Sequence, residues 1–363
     1  MLAQPPQHGV VGGEVVADRG ELALDLLRRL LVVPEVGARG VAGVGVVPRD
    51  GEVALVRTAA PSSVQPGTGH PGNGLAVPRL VAHALHSQIT MHQAYGGVVP
   101  ELASREHAKN IIPVVNEAIK NAGITNKDIT AVAFTRGPGL MGSLLVGGIF
   151  AKSFSQALSI PLIEVHHMQA HVLAHFIDEP KPSFPFLCLT VSGGHTQIVL
   201  VKDVSEMEII GQTQDDAAGE AFDKIAKIIG LPYPGGPFID QLSASGNSLK
   251  FKFPHPKAPG LDFSFSGLKT AVLYFLEKEL AKDPTFTKEH LNDICASVQH
   301  TIVSILIEKL TEAVNTTGIT RVALAGGVSA NSGLRKALQQ ASLKNGWQYF
   351  IPEFEYCTDN AAM

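Results

Sequence analysis

The spacing of apolar positions changes period several times along this chain. From Glu101 to Ala122 they recur every three or four residues and stop at Gly123, which predicts a helix closed by glycine. Asp128–Thr135 is a short apolar run and predicts a strand. It enters a loop, Arg136-Gly137-Pro138-Gly139, and then a glycine-bearing helix over Ser143–Leu158. Pro161–Val165 reads as the next strand, with a histidine-rich helix after it. Upstream, Leu85–Met91 reads as a short strand and Tyr95–Pro100 as a turn. Alternating strands and helices predict an α/β lobe.

A second lobe begins near Pro185. Phe186–Val191 and Gln197–Val201 read as strands joined by a tight turn, Ser192-Gly193-Gly194-His195-Thr196. Asp216–Ile229 reads as a helix. Tyr233-Pro234-Gly235-Gly236-Pro237 reads as a loop, with Asp240 just beyond. Asp262–Lys269 reads as a strand entering a helix, and Asp293–Val314 as a long amphipathic helix. Arg321–Ala325 is a buried-strand pattern, then a glycine pair, then a helix over Ser332–Leu343.

The N-terminal part does not match the rest. Residues 1–88 hold no Lys, Ile, Phe or Tyr, and every lysine lies beyond them. There only Glu21–Val33 reads as an amphipathic helix, and Ala60–Asn73 is a Pro/Gly/Ser linker by composition. Such a shift reads either as an ordinary N-terminal extension or, the sharper reading, as a segment foreign to the remainder through fusion, rearrangement or a wrong reading frame. The expected division is therefore 1–84, an atypical segment; 85–184, a first lobe; and 185–363, a second lobe.

Composition narrows the function classes. A net charge of −4 carries no global signature of nucleic-acid binding, so any RNA contact needs a local patch or partners. Three widely spaced cysteines, Cys188, Cys295 and Cys357, fit a reducing, cytoplasmic setting with no disulfide framework. The longest apolar run, Gly137–Ala151, is shorter than a membrane span and reads as a buried helix. Acidic residues near the start argue against a transit peptide.

Candidate chemistry centres on His166–His175, where His167, His171 and His175 are spaced four apart. Residues i and i+4 share a helix face, so His167 and His171 can aim two imidazoles at one metal ion. A third ligand has to come from elsewhere; Asp359 could supply a hard oxygen or could cap a turn. The His-Glu-x-x-His of a metalloprotease is absent, because Met168 follows His167. The Ser192–Gly194 turn offers backbone N–H groups, a concavity suited to phosphate. The stretch from Arg321 through Gly326-Gly327 to Asn331 is strand, glycine pair and helix start, a geometry suited to a nucleotide.

Several motifs stand in order: His-His-Met-x-x-His, Ser-Gly-Gly-His-Thr, Gly-Glu-Ala-Phe-Asp-Lys, Tyr-Pro-Gly-Gly-Pro, Asp-Phe-Ser-Phe-Ser-Gly-Leu-Lys-Thr, Ala-Gly-Gly-Val-Ser-Ala-Asn and Cys-Thr-Asp-Asn. With Tyr95–Arg105 and Gly137–Leu140, this series resembles the universal tRNA threonylcarbamoyladenosine transferase family, in its bacterial TsaD branch, over about residues 86–363. The resemblance implies a two-lobed α/β fold of the actin, sugar-kinase and Hsp70 type, with ribonuclease H-like lobes. It implies His167, His171 and Asp359 as ligands of one divalent metal, iron(II) in first place and zinc as the alternative. Thr190, Val191, Ser192, Gly193, Gly194, Asp223, Gly236, Asp240 and Asn331 would line the site for threonylcarbamoyl-AMP. The implied reaction moves the threonylcarbamoyl group to N6 of the adenosine beside the anticodon in tRNAs reading codons that begin with A. The implied partners are tRNA, a paralogous subunit, an ATPase and an upstream enzyme that makes the adenylate, with no membrane.

Both ends depart from that family. Its opening strand and Gly-Ile-Glu-Thr-Ser-Cys-Asp-Asp-Thr loop should fall near residues 64–70, which read Val-Gln-Pro-Gly-Thr-Gly-His. The first lobe is then expected to be incomplete, lacking about three strands unless residues 1–84 replace them. The family also continues past Met363 with a helix that packs back on the first lobe. The competing expectation is a truncated or chimeric remnant that binds nucleotide or partner without catalysis.

Overall fold

The computed structural model describes residues 41–47, 52–58 and 78–358. The expected helix Glu21–Val33, the linker Ala60–Asn73, the segment 64–70 and Asp359 lie outside those residues. Two five-stranded sheets form among the described residues. The first has strands β1 (Val41–Val47), β2 (Glu52–Thr58), β3 (Pro78–Leu85), β4 (Ile129–Gly137) and β5 (Leu162–His166), in the order β3-β2-β1-β4-β5. The second has β6 (Phe186–Val191), β7 (Thr196–Val201), β8 (Met207–Gln212), β9 (Arg321–Ala325) and β10 (Gln348–Phe350), in the order β10-β9-β6-β7-β8.

These are one topology used twice. In each sheet the first three strands form an antiparallel meander, β1-β2-β3 and β6-β7-β8. In each, the first strand also pairs in parallel with the fourth, and the fourth with the fifth. Parallel neighbours need crossover connections, which explains why the helices fall where they do. In the first lobe these are α1 (Ile89–Gln93) and α2 (Pro100–Asn121) before β4, and α3 (Met141–Leu158) before β5. Helix α4 (His167–Leu173) follows β5 without a break. The second lobe has α5 (Ala218–Ile228), α6 (Gly235–Ser243), α7 (Ser266–Leu280), α8 (Phe286–Glu289) and α9 (Leu291–Thr317) before β9. Helix α10 (Ser332–Asn345) then precedes β10. This is the expected two-lobed α/β fold with ribonuclease H-like lobes.

The strands thought to be lacking from the first lobe come from the compositionally odd segment itself. Val41, Val44, Val46 and Val47 make this segment rich in valine, which suits a pleated strand. Its backbone pairs Gly43 with Ala131 and Val44 with Val132 of β4. Three further expectations need correction. Leu85–Met91 is not one strand: β3 stops at Leu85, and Ile89 begins α1, its N–H donating to Ser87 Oγ at 3.4 Å. Tyr233–Pro237 is not all loop, because α6 begins at Gly235. Helix α3 is not buried all round: its inner face is Ser143, Gly147, Ala151 and Ser155, small residues that allow close packing. Its outer face leaves Met141, Leu145 and Ile149 at 71%, 54% and 63% exposure.

The second lobe holds the larger core. Strand β6 is buried along its whole length, as a central strand covered on both faces should be. One face meets α5, α7 and α9 through Leu187, Leu189, Ile198, Phe222, Phe265 and Ile302. No helix among the described residues is long and apolar enough to cross a membrane.

Inside the first lobe, Gln88, His92 and His107 are buried together. Gln88 Nε2 lies 2.5 Å from His107 Nδ1, and His92 Nδ1 accepts from the Val99 N–H at 3.3 Å. Burial, helped by His92, lowers His107 from 6.5 to about 4. The unfolded chain therefore binds this proton more readily than the fold does. The stability that His107 contributes is full above about pH 6.5 and is lost as pH falls toward about 4. Urea midpoints measured across that window should drop, and His107→Gln should flatten the drop; an unchanged slope in the variant would contradict this account.

Candidate functional site

Strand β5 delivers the chain directly into α4, and His166 caps the junction: its Nδ1 accepts from the Gln169 N–H at 3.4 Å. Burial first, then Arg136 and His167, holds the His166 imidazole below its ordinary value. One turn apart on the same helix, the His167 and His171 rings have centroids 4.6 Å apart and planes at 67°. His171 is buried. The other side of the helix packs on the second lobe, where Val172 joins Phe186, Cys188 and Ala323.

His175 does not continue the ligand series. At Ala174 the helix tightens into a 3₁₀ turn over Ala174–Phe176, which rotates the ring away from the i+4 position. His175 Nε2 lies 2.6 Å from the Leu324 carbonyl of β9. A carbonyl only accepts, so Nε2 carries the hydrogen. Burial lowers the affinity of this ring for a second proton, and the bond to the Leu324 carbonyl offsets part of that effect. The converging His167 and His171 fit a divalent metal as a pair of nitrogen donors. Among the described residues no cluster of three or more His, Cys, Asp or Glu could hold a metal ion. The expected third ligand, Asp359, is outside them.

A cavity of about 340 Å³ opens in the second lobe. Five of the sequence-predicted residues line it: Gly193, Asp223, Gly236, Asp240 and Asn331. Thr190, Val191 and Ser192 are buried behind the turn, and Gly194 is exposed beside it. Ser192 Oγ accepts from the N–H groups of Gly194 and His195, at 3.4 and 3.1 Å, so the turn spends those donors on its own shape.

Three helix starts meet at this cavity, and each is fixed by a residue remote from it in sequence. Thr196 Oγ1 of β7 accepts from the Ala218 N–H at the start of α5, at 2.9 Å. Asp223 Oδ1 accepts from Gly235 and Gly236 at the start of α6, at 2.8 and 3.3 Å. Asp240 accepts from Ser332 N and Ser332 Oγ at the start of α10, at 3.0 and 2.7 Å. Asn331 caps α10 through the Leu334 N–H at 2.9 Å and donates to Gln299 Oε1 at 2.7 Å. Convergent helix N-termini favour an anionic ligand.

Sequence reasoning missed Gly219, Phe222, Gln241 and Val328, which also line the cavity. Gly219 had a signal, as the first residue of Gly-Glu-Ala-Phe-Asp-Lys. A Cβ there would fall 2.6 Å from the Ser192 carbonyl oxygen and 2.8 Å from Gly193 Cα. Only glycine lets α5 sit this close to the turn. Gly326, at φ +84°, approaches the Val191 carbonyl in the same way from β9.

A family model described as TsaD, tRNA N6-adenosine threonylcarbamoyltransferase, matches residues 79–363. A protein of that name from Christiangramia forsetii is 64% identical over 276 residues, covering 75% of this chain and 81% of that one. Its counterpart from Cytophaga hutchinsonii is 61% identical over 273 residues, covering 75% and 80%. Among solved structures, full-length HypF in its phosphate- and nucleotide-bound form matches with a TM-score of 0.55 at 14% identity. That match covers 92% of this chain and 46% of HypF, and bears on the fold alone.

Helix propensity by itself would make Gly219→Ala stabilising by ~1 kcal/mol. The contact with the turn predicts the opposite sign. The melting temperature should fall. A variant that melts higher would refute the close-approach argument.

Proposed function

The chain belongs to the tRNA N6-adenosine threonylcarbamoyltransferase family, and from that membership we propose how its residues carry out the reaction. The enzyme transfers the threonylcarbamoyl group of threonylcarbamoyl-AMP to N6 of the adenosine 3′ to the anticodon. The nitrogen bonds to the carbamoyl carbon, the bond from that carbon to the phosphate oxygen breaks, and AMP leaves. N6 loses one proton, which passes to the departing AMP phosphate or to water.

The observation that carries this reading is the cavity walled by Gly193, Asp223, Gly236, Asp240 and Asn331, where three helix starts converge. The adenylate lies there, with Asp223 and Asp240 beside the ribose hydroxyls, Asn331 near ribose or base, and Val328 and Phe222 as apolar wall. The Thr190–Gly194 segment shapes the phosphate side. His167, His171 and Asp359 would hold the divalent metal, iron(II) or else zinc. Bound there, that ion supplies a Lewis acid for the carbamoyl carbonyl. No described side chain stands out as a general base, so the chain's own contribution is positioning and charge stabilisation.

The reading as a non-catalytic remnant rested on missing first-lobe strands, and β1, β2 and β3 stand in those positions. The outer face of α3 supports a partner. Met141, Leu145 and Ile149 form an exposed apolar stripe, and Ile112 of α2 is also exposed. We assign that face to the paralogous subunit; the ATPase joins the assembly.

Incubation of the full chain, its partners, threonylcarbamoyl-AMP and a tRNA reading ANN codons should yield threonylcarbamoyladenosine by mass spectrometry of digested tRNA. His171→Ala should lower the yield at least ~100-fold, in line with loss of a ligand that polarises the carbonyl. Product no higher than a no-enzyme control would reject the assignment. Leu145→Glu should abolish co-elution with the paralogous subunit while leaving the melting temperature of the isolated chain within about a degree, as expected for an exposed site. Persistent co-elution would rule out this face.

A further inference from the structure

Gln299 stands outside the second-lobe cavity, yet it governs a residue that lines it. It belongs to α9, is buried, and sets its carboxamide against Asn331, itself 9% exposed and part of the cavity wall.

Donors and acceptors fix this contact in order. The Leu334 N–H can only donate, so the Asn331 atom that it meets at 2.9 Å is Oδ1. The other end of that amide is then Nδ2, a donor, and Gln299 answers it with Oε1 at 2.7 Å. One backbone hydrogen thus orients two amides that could each turn over without changing shape. Of the two Nδ2 hydrogens, Gln299 takes one and the other is left for a ligand. Asn331 therefore meets a nucleotide as a donor, and the ligand atom opposite it is an acceptor, a ribose oxygen or a ring nitrogen of the base.

The approach of α9 to α10 leaves just enough room for this pair. Gly333 is the second residue of α10, and a Cβ there would fall 2.6 Å from Gln299 Nε2 and 3.2 Å from Asn331 Oδ1. A side chain at that position would push the Gln299 carboxamide off its partner.

We propose that Gln299 is a positioning residue for the adenylate substrate: from behind the cavity it holds Asn331 in the one orientation that donates to threonylcarbamoyl-AMP. This rests on the adenylate reading of the cavity given above. Gln299 acts through Asn331, remote from the bond that is made and broken, so its effect falls on adenylate binding and not on the chemical step.

Calorimetry with AMP on the full chain tests it. Gln299→Leu keeps much of the volume and removes the acceptor; affinity should fall about tenfold, the size of one hydrogen bond to the ligand. Asn331→Ala should cost a similar factor. The double variant should bind no more weakly than Asn331→Ala alone, because both changes remove the same contact. Gly333→Ala should weaken AMP by a like factor from the α10 side while its melting temperature holds or rises, since alanine favours a helix over glycine. In the transfer reaction with partner proteins, Gln299→Leu should raise KM for threonylcarbamoyl-AMP about tenfold and leave kcat within about twofold, as for a contact made equally in ground and transition states. Gln299→Leu binding AMP as tightly as the unsubstituted chain would overturn the proposal and leave the cavity reading intact. So would losses that multiply in the double variant, which a general loosening of α9 would produce. Undiminished AMP binding by Asn331→Ala would remove the adenylate reading, and this proposal with it.

Discussion

The arrangement depends on one small helix lying in two places at once. Helix α4 is the direct continuation of β5 in the first lobe, yet it packs on the sheet of the second. Val172 seals that contact with Phe186, Cys188 and Ala323, and His175 hydrogen-bonds the Leu324 carbonyl. A buried hydrogen bond of this kind contributes about 1 kcal/mol net, but leaving the carbonyl without a partner would cost about 1–3 kcal/mol. The face of α4 that docks is thereby fixed. The remaining face, with His167 and His171, follows from helix geometry alone.

The second constraint is close approach. Around the second-lobe cavity, the turn after β6 meets the start of α5, and β6 meets the end of β9, through backbone. Gly219 against Ser192 and Gly326 against Val191 leave no room for a Cβ. Aspartates then fasten the helix starts: Asp223 holds α6 and Asp240 holds α10. The residues that shape the cavity are thus the same ones that tie its walls together. A change at either aspartate removes both a lining group and a helix cap.

Much of the second lobe was legible in the sequence because its elements carry their signals locally. Phe186–Val191, apolar but for Thr190, and Arg321–Ala325, apolar after its first residue, are bounded by turns, and both are strands with those limits. Helix α6 was hidden because Pro234-Gly235-Gly236-Pro237 is a sequence of helix breakers. What starts the helix there is the Asp223 carboxylate, twelve residues upstream in a different helix. Pattern reading has no access to a cap delivered through space. The outward stripe of α3 was hidden for a related reason. Its apolar residues run all round the helix, so periodicity does not tell the buried small face from the exposed large one. The N-terminal strands were obscured by composition: Val41–Val47 and Glu52–Thr58 are rich in valine, which suits strands, but the absence of Ile, Lys and Phe made the segment look unrelated to the sheet it joins. In the site, the histidine pair was readable from spacing. The role of His175 was not, since the 3₁₀ turn that rotates it and the carbonyl that receives it are set by tertiary contact.

The most direct test is a crystal structure of the metal-loaded full chain with a non-hydrolysable analogue of threonylcarbamoyl-AMP. The account predicts the adenylate in the cavity bounded by Asp223, Gly236, Asp240 and Asn331. It also predicts the carbamoyl oxygen facing an ion held by His167, His171 and Asp359. An adenylate bound elsewhere, or a metal whose ligands exclude His167 and His171, would contradict it.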